Sequence, residues 1–437
     1  MSGDGWQTRA YMALRPALQS VMRRALRRRL RRGKEDPARI GEKLGQANLP
    51  RPPGRLFWFH AVGLGEVMAL RPLIQAIQAE APGVNVLLTS SARSSARVIG
   101  ANLPPLTRHQ FLPLDGPDFV GAFLDHWRPD LSVWSEQDLW PGAICDTAAR
   151  GIPLAYVNAR MNAQSHRRRA RLGGLYRDLL RRFRLVAAQD AASAAHLRAL
   201  GAVAPVVTGS LKPAAAPLGA DPVQLAGLTA ALAGRRVWVA ASTHPADEAL
   251  VIEAQRRIRA EDPSALLILT PRLPDRAPEI ARALDAAGLP HALRSRDGVP
   301  GAGAAVLLAD SFGELGLWYR LARAAFIGGS CGEGAAATGG HNPWEAVCLG
   351  LGVISGPDTA NFGADYRDLA EAGLVRQIPL GPEAPAALAR AVSDAFARVE
   401  PAPGAAPGTA ARALVEGARA ALIPLARELI ALSGGKP

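Results

Sequence analysis

Short apolar runs alternate with helix-like stretches through the first half of the chain. They fall at 56–61, 84–89, 110–113, 131–135, 153–158, 185–188 and 206–209. Runs of this length predict strands buried on both faces, and their alternation with helical segments predicts a parallel sheet. A Pro/Ala/Gly-rich stretch at 212–220 breaks the rhythm and reads as a linker. The pattern restarts at 236–241, 265–270, 305–309, 325–328 and 351–355, which predicts a second doubly wound domain. Residues 401–408 are low in complexity, and 410–432 then reads as a helix. The expected organisation is a helical segment 1–50, a Rossmann-like domain 51–211, a linker 212–220, a second Rossmann-like domain 221–409 and a terminal helix 410–437. Two such domains in sequence predict a cleft at the carboxyl ends of both sheets. No short fixed-period repeat is visible, which argues against a solenoid.

The N-terminal segment has a different pattern. Tyr11, Leu14, Leu18, Val21 and Ala25 recur at helical spacing, and Met12, Met22, Leu26 and Leu30 widen that face. Residues 23–34 read RRALRRRLRRGK, with eight basic residues and no acid. No run reaches the roughly 18–20 apolar residues needed to span a bilayer, and Arg15-Pro16 interrupts the best window. A secretory signal is a poor match, because no clean apolar core or cleavage site follows the charges. The pattern predicts a basic amphipathic helix lying on an anionic membrane surface, each basic group there contributing about 1 kcal/mol. A solvated helix face and a nucleic-acid arm are the competing readings.

Composition changes the picture in two respects. The net charge of +13 over 437 residues points to an anionic partner, while 49% hydrophobic content permits full cores. The three cysteines, Cys145, Cys331 and Cys348, have no CxxC spacing, so a reducing compartment and no structural metal are expected.

Candidate chemistry gathers at predicted strand ends. GGHNPWE at 339–345 follows the run 324–327 and Gly328-Gly329-Ser330. Glycines allow close backbone approach and a helix start favours an anion. Asn342 and Glu345, three apart, share one face of the first turn and suit sugar hydroxyls. A capped turn without a ligand fits equally well. HAVGLGE at 60–66 puts Glu66 on a glycine turn, as a general base or as a simple first-turn acid. SEQDLWP at 135–141 offers Glu136 and Asp138, which point apart at i, i+2. Ser242-Thr243-His244 and Thr270-Pro271-Arg272 put hydroxyls, imidazole and guanidinium at strand ends, a set suited to phosphate. DSFGEL at 310–315 is a further strand-to-helix turn. Arg167, Arg168, Arg169 and Arg171 form a second basic run, either a grip for an acidic acceptor or a solvated helix face.

Together these motifs resemble the 3-deoxy-D-manno-octulosonic acid (Kdo) transferase family. The resemblance covers about residues 32–373, with HAVGLGE, SEQDLWP, NARMNAQS, TGSLK, ASTHPADE, TPRLPDR, DSFGEL, FIGGS, GGHNPWE and SGPDTANF in the family's order. It implies a GT-B glycosyltransferase of α/β class, with two Rossmann-like domains, that moves Kdo from CMP-Kdo to the lipid A precursor of lipopolysaccharide with inversion and without a required metal or cofactor. The donor is expected on the second domain and the lipid acceptor on the first, at the cytoplasmic face of the inner membrane. The family's catalytic base falls on Glu66 and a second functional acid on Glu136. Donor positions fall on Arg272, Gly313, Glu314, Asn342 and Glu345, with Ser330 and Gly340 near the phosphate. The acceptor is expected at His60, Arg160, Ser165, Arg167 and Arg168. Gly63, Pro245, Asp247, Leu273, Asp275 and Ser210 depart from the family's usual residues. A GT-B enzyme with another nucleotide-sugar, and a non-enzymatic basic protein that binds RNA or lipid, are the rival readings. The low aromatic content of 5% and the lack of an RNA-binding signature weigh against the second.

Overall fold

The computed structural model describes residues 3–91, 103–137, 139–398 and 406–434. Asp138, residues 401–405 of the low-complexity stretch and 435–437 of the terminal segment lie outside the described residues. The chain divides into two units, Met1–Ala215 with Gly417–Pro437, and Ala216–Glu416.

The first unit holds a seven-stranded sheet. Its strands are β1 Leu56–His60, β2 Asn85–Ser90, β3 Thr107–Phe111, β4 Leu131–Ser135, β5 Leu154–Ala159, β6 Phe183–Ala188 and β7 Val206–Val207. Their spatial order is β3-β2-β1-β4-β5-β6-β7, and every pairing is parallel. β1 is buried along its whole length. Leu56 and Trp58 join one core and Phe57 and Phe59 the other, because successive side chains point to opposite faces of a strand. That two-sided burial is why the strands read as continuous apolar runs rather than as alternating ones.

The second unit repeats the plan. Its strands are β8 Arg236–Thr243, β9 Ala265–Pro271, β10 His291–Leu293, β11 Val306–Leu308, β12 Ala324–Ile327, β13 Gly352–Ser355 and β14 Val375–Gln377. The order is β10-β11-β9-β8-β12-β13-β14, again all parallel. Val237 and Val239 face one core while Trp238 and Ala240 face the other. The strand order reverses beside β1 and β4 in the first unit and beside β8 and β12 in the second. Ligands of open α/β sheets bind at such reversals, outside the carboxyl ends of the strands.

The edges differ from expectation. β10 and β14, three residues each, have no apolar run to announce them. β3 begins three residues before the expected run, with Thr107 and Arg108 half-buried. Edge strands have one neighbour and tolerate polar side chains, so the pattern weakens there. Lys212, at the head of the expected linker, is buried on a short 3-10 turn, Lys212–Ala214, that belongs to the first unit. The last helix, Thr409–Leu432, gives Ala411 and Val415 to the second unit's core and Leu422, Leu425, Ala426, Leu429 and Ile430 to the first's.

The N-terminal helix runs Trp6–Arg31. It buries Thr8, Arg15 and Leu26. Arg15, 1% exposed, donates to both Asp146 oxygens at 3.1 and 2.9 Å and to the Asp115 carbonyl at 2.8 Å. The Tyr11 hydroxyl donates to Asp115 at 2.6 Å, Thr8 to Asp178 at 2.5 Å, and Gln19 to Asp118 at 2.6 Å. Trp6, Leu14, Leu18 and Val21 are exposed instead. Among the described residues no helix is long and apolar enough to cross a membrane.

Candidate active site

In the first unit the site is built where β1 and β4 end. The chain leaves β1 through Val62 and Gly63 into the helix Leu64–Glu80, with Glu66 in its first turn. The Val62 N–H donates to Glu66 Oε2 at 2.7 Å. β4 runs directly into Glu136, whose φ of +62° is left-handed. Asn158, at the end of β5, has φ +50°, and Ser242, near the end of β8 in the other unit, has +56°. Such geometry costs about 1–3 kcal/mol per non-glycine residue and tends to cluster at functional sites.

The Glu136 carboxylate is buried but fully engaged. Its Oε1 accepts from Lys212 Nζ at 2.9 Å, Asn158 Nδ2 at 3.0 Å and Gln189 Nε2 at 3.2 Å. Arg160 Nε lies 3.5 Å from Oε2. Burial opposes ionisation, yet Lys212 and Arg160 outweigh it and hold this carboxyl below its ordinary value. Glu66 titrates in the other direction. Burial first, and then the Glu136 charge, push it up to about 7, against the Val62 and Gly63 N–H groups and Lys212. One carboxylate is thus kept ionised while its neighbour sits near neutrality, the separation that acid–base chemistry requires.

A pocket of about 190 Å³ is lined by Val62, Glu66, Glu136, Gln137, Arg160, Arg168 and Arg169. Three guanidinium groups face two carboxylates there, a setting for an anionic ligand with a hydroxyl near Glu66. Arg168 is exposed on the helix Ala163–Ala170 and is free to reach a ligand, whereas Arg169 turns inward and donates to the Gln137 carbonyl at 2.8 Å. Ser165 donates to Gln137 Oε1 at 3.1 Å, so it braces the pocket wall. Arg167 is exposed on the same helix and does not line the pocket. His60 is also elsewhere: it is fully buried, 3.0 Å from Thr89 Oγ1 and edge-on to Trp134.

In the second unit, the turn Gly328-Gly329-Ser330 after β12 is already occupied. Asp247 Oδ2 accepts from the N–H groups of Gly329 at 2.7 Å and His244 at 2.9 Å, while Oδ1 accepts from Cys331 at 3.1 Å and Ser330 at 3.3 Å. The Gly340 N–H donates to the Gly329 carbonyl at 2.8 Å. The Ser330 hydroxyl, fully buried, donates to the Ile327 carbonyl and accepts from the Gly356 N–H. The Ser330 and Gly340 N–H groups, expected near the phosphate, both have partners within the protein. Gly328 is required for packing, since a Cβ there would lie 2.7 Å from the Ser242 carbonyl oxygen.

Beside that turn, His244 and His341 stack with ring centroids 5.2 Å apart and Nε2 atoms 3.0 Å apart. Burial, His244 and Arg272 hold His341 down to about 4, so the His341 imidazole is neutral near pH 7. Asn342 Nδ2 lies 3.4 Å from Glu345 Oε1, as their spacing requires, and burial pushes the Glu345 carboxyl up. Arg272 is exposed at the end of β9, where its charge acts on both His341 and Glu345. Arg272, Asn342 and Glu345 therefore share one charged neighbourhood. Glu314 follows Gly313, whose φ is +89°, and is ion-paired to Arg294 at 2.7 Å. Among the described residues no cluster of three or more His, Cys, Asp or Glu side chains could hold a metal ion.

Sequence reasoning missed Lys212, Asn158, Gln189 and Arg294 as members of these clusters. Each acts through a partner remote in sequence, such as Lys212 on Glu136 over 76 positions. The available signal was that TGSLK and NARMNAQS both begin where a predicted strand ends.

Comparison with known proteins places this arrangement. The family model described as 3-Deoxy-D-manno-octulosonic-acid transferase (kdotransferase) matches residues 38–215. The 3-deoxy-D-manno-octulosonic acid transferase of Rickettsia bellii is 32% identical, over 81% of this chain and 84% of its own. That of Bordetella pertussis is 38% identical, over 78% of this chain and 80% of its own. A solved UDP-N-acetylglucosamine 2-epimerase superposes with a TM-score of 0.56 over 89% of this chain and 99% of its own, at 13% identity, which is a likeness of fold. With its two doubly wound units of GT-B type and its relatives of common length, this chain belongs to the 3-deoxy-D-manno-octulosonic acid transferase family.

Proposed function

We propose that this protein transfers Kdo from CMP-Kdo, with inversion, to a hydroxyl of the lipid A precursor in lipopolysaccharide biosynthesis. The observation that carries the mechanism is Glu66, a half-buried carboxylate near pKa 7 that lines a cationic pocket beside an ionised Glu136. A base is most effective when its pKa lies near the working pH. Glu66 takes the proton of the acceptor hydroxyl as its oxygen attacks the anomeric carbon of Kdo. The bond from that carbon to the phosphate oxygen breaks, and CMP leaves with the electron pair. Arg272, an exposed cation, is assigned to offset the charge gained by the departing phosphate. Asn342 and Glu345 are assigned to donor hydroxyls, and Gly313 and Glu314 to the donor as well. Arg160 and Arg168, with Arg167 nearby on the same helix, are assigned to acidic groups of the acceptor.

The N-terminal helix supports the lipid reading. Its inward face is satisfied by aspartates, and its outward face carries Trp6, Leu14, Leu18 and Val21, followed by Arg24, Arg27, Arg28 and Arg31. An exposed apolar stripe that continues into a basic one suits the boundary of an anionic membrane. On this reading the protein sits at the cytoplasmic face of the inner membrane, peripheral or monotopic through this segment.

The test is incubation with CMP-Kdo, generated in situ, and tetra-acylated lipid A precursor, with mass spectrometry of the lipid. Lipid gaining the mass of Kdo, with competition by CMP and not UDP, is the expected result. Unchanged lipid, or competition by UDP, contradicts it. Glu66→Gln is expected to abolish transfer while calorimetry still detects CMP binding. Loss of CMP binding in that variant would count against its role as base.

A further inference from the structure

The segment after the N-terminal helix buries two charges that the mechanism above does not use. Glu35 precedes the 3-10 turn Pro37–Leu44, and Lys43 lies near that turn's end. Both are buried. Lys43 Nζ is 2.7 Å from Glu35 Oε2, and Arg29, half-exposed at the basic end of the helix, donates to Oε1. A lysine ammonium has three N–H groups. One goes to Glu35 and one to the Ser91 carbonyl at 3.1 Å, while the Phe111 ring lies 5.2 Å away. A buried ion pair costs desolvation and is weak evidence of a stabilising purpose. The place of Ser91 supplies another reason. Ser91 is the first residue past β2. The ladder between β1 and β2 ends at the pair His60–Thr89, yet the Ser91 N–H still donates to the Val62 carbonyl at 3.3 Å. Val62 is the residue whose own N–H donates to Glu66 Oε2 at 2.7 Å. Arg29, Glu35, Lys43, Ser91, Val62 and Glu66 thus form one connected path within the first unit.

We propose that Lys43 is a positioning residue for the transfer: by holding the Ser91 carbonyl it fixes the turn after β1, so that the Val62 N–H meets the Glu66 carboxylate. This inference rests on the assignment of Glu66 as base. The turn needs such an anchor because packing does not hold it. It contains Gly63 and Gly65, and a Cβ added at either would meet nothing within 4 Å among the described residues. Glycine backbones are also the most costly to order. The consequence is chemical. The Val62 and Gly63 N–H groups favour the ionised form of Glu66, as does Lys212, while burial and Glu136 oppose it. Arg160, Arg168 and Arg169 complete the charged wall of the pocket. A hydrogen bond to the charged form favours that form, and only while its geometry is kept. Removing the Lys43 anchor loosens one of these donors and leaves every charge in the pocket where it was.

Two readouts test it. In the unaltered protein, the amide nitrogen shifts of Val62 and Ser91 are followed against pH. Both are expected to titrate together, with the Glu66 midpoint of about 7. A Ser91 amide that stays silent through that range overturns the proposal. The second readout is the carbon-13 carboxyl titration of Glu66, with the pH profile of kcat/KM, in Lys43→Met and Lys43→Arg. Lys43→Met is expected to move the midpoint and the acid limb upward by about half a unit to one unit, the size of one backbone N–H bond to a carboxylate. Activity should recover at higher pH, and Lys43→Arg, which keeps the cation, should keep the parent midpoint. An unmoved midpoint in Lys43→Met, with a loss of rate equal at every pH, is what a merely structural lysine gives, and it overturns the proposal. So does an arginine variant that shifts as far as the methionine one. The titrations need no substrate, so failure of CMP-Kdo as donor leaves them standing.

Discussion

Glu136 shows what one residue's backbone can accomplish. Its positive φ turns the chain out of the strand at the point where the carboxylate meets Lys212, Asn158 and Gln189. Glu66, four residues past the Val62 N–H that it accepts from, was legible because its environment is local: a strand, a glycine turn and an acid at the start of a helix. Lys212 was not, because its partner lies 76 positions away and only the sheet order brings them together. Ser330 was legible as a turn residue, but that Asp247 takes the turn's N–H groups was not, because Asp247 lies more than 80 positions away. A stability prediction belongs at this scale. The folded state raises the Glu66 pKa from 4.5 to about 7. A raised carboxyl favours folding when protonated, and that advantage is lost as pH climbs from the unfolded value through the folded one. Glu66→Gln should therefore unfold at a higher temperature than the parent at pH 8, with the gap closing toward pH 4.5. An equal gap at both pH values would contradict the assigned shift.

Among the elements, the N-terminal helix differs most from a soluble helix. A helix packed on a protein normally buries its apolar stripe. This one buries Leu26 together with Thr8 and Arg15, the last two against aspartates, and leaves Leu14, Leu18 and Val21 outside. The spacing of its apolar residues was readable. Which face turned inward was not, because the aspartates that decide it lie 99 or more positions away, as the Asp118 contact with Gln19 and the Asp115 contact with Arg15 show. Two substitutions separate the faces. Arg15→Met takes away the buried cation paired with Asp146, while Asp115 keeps Tyr11 and the Gly142 and Ala143 N–H groups, and should cost about 3–5 kcal/mol in denaturant unfolding. Leu14→Ser with Leu18→Ser and Val21→Ser should leave that stability within about 0.5 kcal/mol, as exposed changes do. The triple change should instead weaken flotation with vesicles of anionic lipid. Unchanged flotation would remove the helix from the membrane account. The short edge strands β10 and β14 escaped notice for an equally physical reason: they are only three residues long and lack a run buried on both faces.

At the scale of the whole molecule, the doubled βα rhythm was the most legible feature. Every interior strand of both sheets coincided with an apolar run. Each sheet reverses strand order once, and the chemistry-bearing turns gather at those reversals: Glu66 and Glu136 after β1 and β4, His244 and the glycine turn after β8 and β12. One unit thus carries a carboxylate tuned near neutrality, and the other a stacked imidazole pair, with His341 held neutral, beside an exposed arginine. The direct measurement is the pH dependence of kcat for Kdo transfer to the lipid A precursor in mixed micelles. The rate should fall tenfold per unit as pH drops below about 7, the value set for Glu66, and should be lost in Glu66→Gln at every pH. A rate independent of pH down to 5, or a glutamine variant that still transfers Kdo, would contradict the assignment of Glu66 as the base.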